Sequence, residues 1–255
     1  MATETETKEN EIIETQEAKV SPEDLLTLQE MIDAGLIHGL AKSKTHPKMK
    51  PYIHSTRSGV EVIDLVQTIA LLRKASEFLK AVVDSGKSVL LVGTAAIAKQ
   101  AVKDCAEKTN NPYVIERWIG GTLTNFKIVN GRVQYFKKLL ADKEAGNLAK
   151  YTKKEQLMIE REIAKMAAIF TGLKDMNELP GAMLVMSPSE NKLAIDEAKN
   201  AGIPVVAFLN TNADPTMVEY PIPGNDKLST AVEWVLNYLE PNLKRNNERG
   251  NSQTA

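Results

Sequence analysis

Cysteine is nearly missing. The 255-residue chain has one, Cys105, which excludes an internal disulfide framework and fits a reducing cytoplasm. Histidine is scarce as well, three in all, and scattered beside a lone Cys they give no metal-ligand spacing. No apolar run approaches the roughly 18 residues of a bilayer span, and the acidic, polar start is not that of a secretory signal. Neither G-x-G-x-x-G nor G-x-x-x-x-G-K-[ST] occurs, so the common phosphate-loop fingerprints are lacking. Net charge is nearly absent too, at −1, which on its face argues against a nucleic-acid partner.

What is present changes that last inference. With 43% hydrophobic residues the chain has enough apolar surface for one large α/β domain or two small ones. Its charge is segregated. Residues 1–30 hold nine acids against Lys8 and Lys19, whereas 31–58 hold Lys42, Lys44, Lys48, Lys50 and Arg57 against Asp33 alone. Such asymmetry bears on partner choice more than the total does.

Met1 to about Val20 is polar, acidic and without period, and is expected to be disordered. Ser21-Pro22-Glu23-Asp24 is a helix start, with a cap, a first-turn proline and acids at the positive end of the helix dipole; Gly35 ends that helix. Leu36 to Ser58 is basic, contains Pro47 and Pro51 and has little period. It reads either as a phosphate-binding arm or as an ordinary solvated loop. Gly59–Asp64 is a strand and Leu65 to about Ser85 an amphipathic helix. Ser88–Val92, Pro112–Trp118, Ala182–Met186 and Pro204–Leu209 are further short apolar strands, and helices over 95–108, 191–201 and 228–239 alternate with them. From Pro241 a polar tail is expected to be flexible.

Arg117-Trp118-Ile119-Gly120-Gly121-Thr122-Leu123-Thr124-Asn125-Phe126 is the junction between this alternation and a different pattern. Gly120-Gly121 permits a sharp turn, Thr122 or Thr124 can cap the next helix, and Arg117 and Asn125 bracket the turn. From Leu123 to about Ala141, Phe126, Val129, Val133, Phe136 and Leu140 follow coiled-coil spacing, interrupted by Gly131. A second helix starts at Thr152 with a capping box to Glu155, and Ile159, Ile163, Met166 and Phe170 supply its seam. Residues 123–172 thus form a helical hairpin, each arm about 28 Å long. Lys127, Arg132, Lys153 and Lys154 lie along it; most such charges in a coiled coil are simply solvated. The fold predicted over 21–240 is a parallel α/β sheet of five strands, beginning with Gly59–Asp64, flanked by helices, with a coiled-coil hairpin inserted between its third and fourth strands.

Ligands of open α/β sheets sit at the carboxyl ends of strands. There the sequence offers Asp64, Gly93-Thr94, Arg117-Trp118, Ser187 and Asn210-Thr211-Asn212, with no defensible base–nucleophile pair. Catalysis, cofactor, metal and small-molecule substrate are therefore not expected, a nucleotide-binding enzyme being the alternative.

The junction resembles the signature of the small-subunit ribosomal protein S-two family, bacterial type. His46-Pro47-Lys48-Met49-Lys50-Pro51-Tyr52-Ile53 is similar to the family's N-P-K-M-x-P-Y-I, Gly202–Ala207 to its G-I-P-V-V-A, and Tyr220–Asp226 to its Y-P-I-P-G-N-D. These stretches fall in the family's order across about residues 24–240. The resemblance implies a Rossmann-like domain with a protruding coiled coil, a structural role in the small ribosomal subunit, and small-subunit ribosomal RNA and neighbouring ribosomal proteins as partners, with no membrane. RNA contacts are expected from Lys42, Lys44, Lys48, Lys50, Arg57, Arg117, Thr122, Thr124, Asn125, Lys127, Arg132, Lys153 and Lys154. The chain departs from the family pattern where Ile37-His38-Gly39-Leu40 stands for H-F-G-H, where Ala95 and Ala96 replace common Lys and Arg, and where Ser187 and Asn210 replace frequent Asp.

Overall fold

Along the apolar runs, neighbouring side chains divide between two cores. The computed structural model describes residues 22–245; the expectations for the acidic N-terminus, the Ser21 cap and residues 246–255 lie outside that range. Strand β4 (Val89–Val92) sends Val89 and Leu91 to one apolar layer and Leu90 and Val92 to the other, as the two-residue period of a strand requires. β6 (Ala182–Met186) and β7 (Val205–Leu209) alternate in the same way, and every residue of these three strands is buried. Both faces are therefore covered, which is the usual condition of a parallel sheet.

The sheet is parallel and five-stranded, in the order β5 (Tyr113–Val114), β4, β6, β7, β8 (Tyr220–Pro223). Leu91 lies opposite Leu184, Val185 opposite Ala207 and Phe208 opposite Ile222. Helices α1 (Pro22–Asp33), α2 (Leu65–Asp84), α3 (Lys99–Thr109) and α7 (Ser229–Leu243) supply one layer through residues such as Met31, Leu72, Val102 and Val235. The other layer holds α6 (Lys192–Asn200), the arm residue Met49, Trp118 of the junction, and buried positions of α4 (Phe126–Glu144) and α5 (Lys153–Phe170).

The fifth strand is not the one expected. Gly59–Asp64 leaves the parallel sheet. Its core, β3 (Val60–Ile63), is the middle of a separate antiparallel sheet with β1 (His38–Ala41) and β2 (Ile53–Arg57). The cause is local: Ser58 and Gly59, at φ +50° and +79°, form a two-residue turn of the kind that closes tight hairpins. The parallel sheet is completed instead by Tyr220-Pro221-Ile222-Pro223. Its prolines cannot donate to a ladder, so the segment occupies an edge, where proline is tolerated. As a result α4 and α5 fall between the second and third strands of the parallel sheet, counted along the chain, and not between the third and fourth. The basic 36–58 segment is more ordered than its composition suggests, since β1, two 3-10 turns and β2 occupy most of it. The strand expected over Pro112–Trp118 shrinks to Tyr113–Val114, and the last helix runs past Leu239 to Leu243, which is fully buried.

Candidate nucleic-acid interface

The arm is pinned from beneath and exposes part of its charge. Met49 is fully buried and fixes the 3-10 turn Pro47–Tyr52, which His46 caps by accepting from the Lys48 amide at 3.3 Å. The Lys48 ammonium donates to Asp214 Oδ2 at 2.8 Å and lies 2.7 Å from the Thr216 hydroxyl. Lys48 therefore clamps the arm onto the β7–β8 loop. The hydrogen bond from Lys48, with a second from Thr216, holds the Asp214 carboxyl well below the usual carboxylate range. Lys42, Lys44, Lys50 and Arg57 are exposed and, among the described residues, make no side-chain hydrogen bond or ion pair.

At the junction the expected threonine cap does not form. The Thr122 hydroxyl donates to the Ile119 carbonyl at 2.7 Å, and Asn125, the residue preceding α4, makes no side-chain capping bond. Gly121 does take the left-handed conformation, at φ +92°. The loop amides are satisfied by a residue that sequence reasoning missed. Glu197 of α6 is 5% exposed; its Oε1 accepts from Gly121 N at 2.8 Å and Trp118 Nε1 at 3.1 Å. Its Oε2 accepts from Leu123 N at 3.1 Å and Thr124 N at 3.4 Å, with the Thr124 hydroxyl at 3.3 Å. Burial pushes the carboxyl pKa up, but these donors together outweigh it and bring it below the ordinary value. The sequence held a signal: Glu197 stands three residues after Ala194 and next to Ala198, on the inward stripe of a helix, where an acid needs a reason.

The Gly-Gly turn is thus a nest of amides already filled by an internal anion. Its outward residues differ from its amides. Arg117, Thr124 and Asn125 are exposed, and Glu116, the acid next to Arg117, is engaged by Lys99 at 2.6 Å. Arg117 makes no side-chain bond among the described residues. Lys127 and Arg132 follow on α4 and are exposed. Arg132 also lines a groove of about 540 Å³ between α4 and α5, with Ile128, Tyr135, Glu162 and Lys165 among its walls. Lys153 and Lys154 are exposed on the first turn of α5, away from the junction, where Thr152 and Glu155 form the expected capping box. The structure therefore gathers Arg117, Thr124, Asn125 and Lys127 at one loop and leaves Lys153 and Lys154 apart from them.

The carboxyl ends of the parallel strands are internally engaged. Thr94 donates to Asn191 at 2.9 Å, Asn191 donates to the Met186 and Ser187 carbonyls, and Asn210 donates to Asn225. Asp64 caps α2 by accepting from Val66 and Gln67. Among the described residues no three of His, Cys, Asp and Glu come together as a metal would require. None of the described helices is long and apolar enough to cross a membrane.

Comparison with known proteins converges on one family. Residues 31–245 match the family described as Ribosomal protein S2. The chain is 40% identical over 211 residues to "Small ribosomal subunit protein uS2" of Coprothermobacter proteolyticus, covering 83% of this chain and 79% of that one. It is 42% identical over 210 residues to the protein of the same name from Salinispora tropica, covering 82% and 71%. For the Salinispora arenicola protein the identity is 41% over 210 residues, covering 82% and 75%. By the extent of these matches and the order of its motifs, the chain belongs to the ribosomal protein S2 family.

Proposed function

We propose that the chain is a structural constituent of the small ribosomal subunit, holding ribosomal RNA through phosphate contacts and touching neighbouring ribosomal proteins. The family is a structural component of the ribosome and not an enzyme. The observation that carries the RNA reading is a set of exposed cations without partners among the described residues. Lys42, Lys44, Lys50 and Arg57 on the arm and Arg117 at the junction stand in a chain of net charge −1. Phosphate contact needs little more than well-placed Lys and Arg. Thr124, Asn125, Lys127 and Arg132 extend this face along the base of α4. Lys48, ion-paired with Asp214, and the buried Thr122 support it, and Lys153 and Lys154 belong to a second, distal patch.

In the same reading α4 and α5 are the two arms of a coiled-coil hairpin inserted into a Rossmann-like domain. Burial of Val129, Val133 and Phe136 on one helix and of Ile163 and Phe170 on the other supports it, as does the 6.4 Å approach of the Phe136 and Phe170 rings.

The test uses small-subunit RNA stripped of this protein and binding measured across a salt series. Each phosphate neutralised contributes a log–log slope of about −0.7 to −0.9, taking single strands and DNA duplexes as brackets. Lys50→Ala is expected to flatten the slope by about that amount and Lys48→Ala to leave it unchanged. Wild-type affinity and slope in Lys42→Ala, Lys44→Ala, Lys50→Ala and Arg57→Ala alike would remove the arm from the RNA face. Failure of the wild-type protein to remain with small subunits through a high-salt wash would count against the function itself.

A further inference from the structure

The nest around Glu197 bears on how the junction meets RNA. A glycine turn with several converging amides is a natural phosphate cradle, yet here both carboxylate oxygens of Glu197 already occupy it. Glu197 also holds the indole of Trp118, the residue that follows Arg117 in the chain, and the backbone of Thr124, which precedes Asn125. One buried carboxylate from α6 therefore ties together the start and the end of the loop that carries the exposed polar side chains.

We infer that Glu197 is a positioning residue of the RNA-binding face: it fills the amide nest permanently, so that the loop engages RNA through Arg117, Thr124 and Asn125 and not through its backbone. The inference rests on the RNA-binding reading above and adds the residue that shapes it. The guanidinium of Arg117 is planar and needs a set direction to grip phosphate with both nitrogens; an unanchored loop would present it in many directions. A charge-only role for Glu197 predicts the opposite sign, since removing a negative charge under the loop that carries Arg117 would tighten phosphate binding.

The experiment is a double-mutant cycle on stripped small-subunit RNA, with the full-length protein and folding checked by circular dichroism. Glu197→Gln keeps the side-chain shape but turns an NH₂ group toward amides that need an acceptor. Its RNA affinity is expected to fall roughly tenfold, within the range of coupling for residues in one hydrogen-bonded network. Glu197→Asp should lose less, because the charge remains. In an Arg117→Ala background both losses should shrink to twofold or below. If E197Q does not fold, E197D runs the same cycle with a smaller loss that likewise vanishes with Arg117. Unchanged affinity in a folded variant overturns the inference, and so does an undiminished loss in the Arg117→Ala background. Tighter binding with a slope steeper by about 0.7–0.9 would show that the nest accepts a phosphate, which also overturns it. Absence of RNA binding by the wild-type protein overturns both readings, whereas normal wild-type binding with any of the other adverse results overturns this one alone.

Discussion

Two buried acids show how the surroundings of a carboxylate decide its effect on stability. Glu197 is surrounded by donors, and its folded pKa is depressed. Its stabilisation is therefore complete above the unfolded value of about 4.3 and is lost as pH falls through the lower folded value. Glu197→Gln should cost about 2 kcal/mol at neutral pH, the scale of hydrogen bonds to a charged group, and the deficit should close on acidification; a deficit independent of pH in chemical denaturation would refute this. Asp226 is the reverse case. It is 1% exposed, and neither carboxylate oxygen has a hydrogen-bond partner among the described residues. The Lys227 ammonium approaches to 3.7 Å, but burial dominates and raises the pKa. The folded state then prefers the protonated acid, so Asp226 destabilises at neutral pH and this penalty fades as pH falls through the raised folded value toward the unfolded one. Asp226→Asn is expected to raise the melting temperature at pH 7 by about 2–4 °C, equivalent to roughly 1 kcal/mol in a chain of this size. The gain should vanish near pH 4, and a variant less stable than wild type at pH 7 would contradict the assignment.

Among the elements, the arm and the helix pair differ in what fixes them. The arm is held by Met49 below and by the Lys48–Asp214 clamp at its side. Lys48→Ala and Asp214→Ala should each speed hydrogen exchange at the Met49 amide, which bonds the His46 carbonyl at 2.9 Å, and the double variant should add little to either. Additive effects would mean that the pair does not act as a unit. With its pKa depressed, Asp214 contributes fully above the usual carboxylate range, and the contribution is lost as pH falls below that range toward the lowered folded value. In the helix pair, the Phe136 and Phe170 rings approach to 6.4 Å. Phe136→Asp puts an unpaired charge at a position 1% exposed and should reduce the far-UV helical signal while the sheet core keeps its near-UV spectrum. Loss of both together would show that the pair and the sheet fold as one unit. The helices were legible in the sequence because their seam repeats and the Thr152 box are local. The fifth strand was not, because proline reads as a strand breaker until an edge position is known to be available.

At the scale of the whole molecule, the last helix packs back onto the middle of the chain. The Leu243 carbonyl accepts from Asn111 Nδ2 at 2.8 Å, Asn111 Oδ1 accepts from Val89 N, and Leu243 is fully buried. The end of α7 therefore closes the sheet beside β4 and β5, although Pro241 and the polar residues around it suggested a tail. Leu243→Ala is expected to destabilise the protein by about 2–5 kcal/mol, as for other buried leucines; a loss under 0.5 kcal/mol in a denaturant melt would mark this end as peripheral.

Sequence alone determined what depends on neighbours along the chain. The short apolar runs Ser88–Val92, Ala182–Met186 and Pro204–Leu209 marked buried parallel strands, the three–four spacings marked the helices, and the segregated charge marked the arm. Four ordered motifs identified the family. The tertiary structure decided what depends on groups far apart in the chain: that Lys48 meets Asp214 166 residues away, that Glu197 fills the Gly-Gly turn from 76 residues away, and that Tyr220–Pro223 takes the place in the parallel sheet expected of Gly59–Asp64. Hydrophobic period and capping chemistry act within a turn or two of backbone. Which buried donor meets which acceptor is fixed only when the layers close, because most buried polar groups then pair with partners that the local sequence does not name.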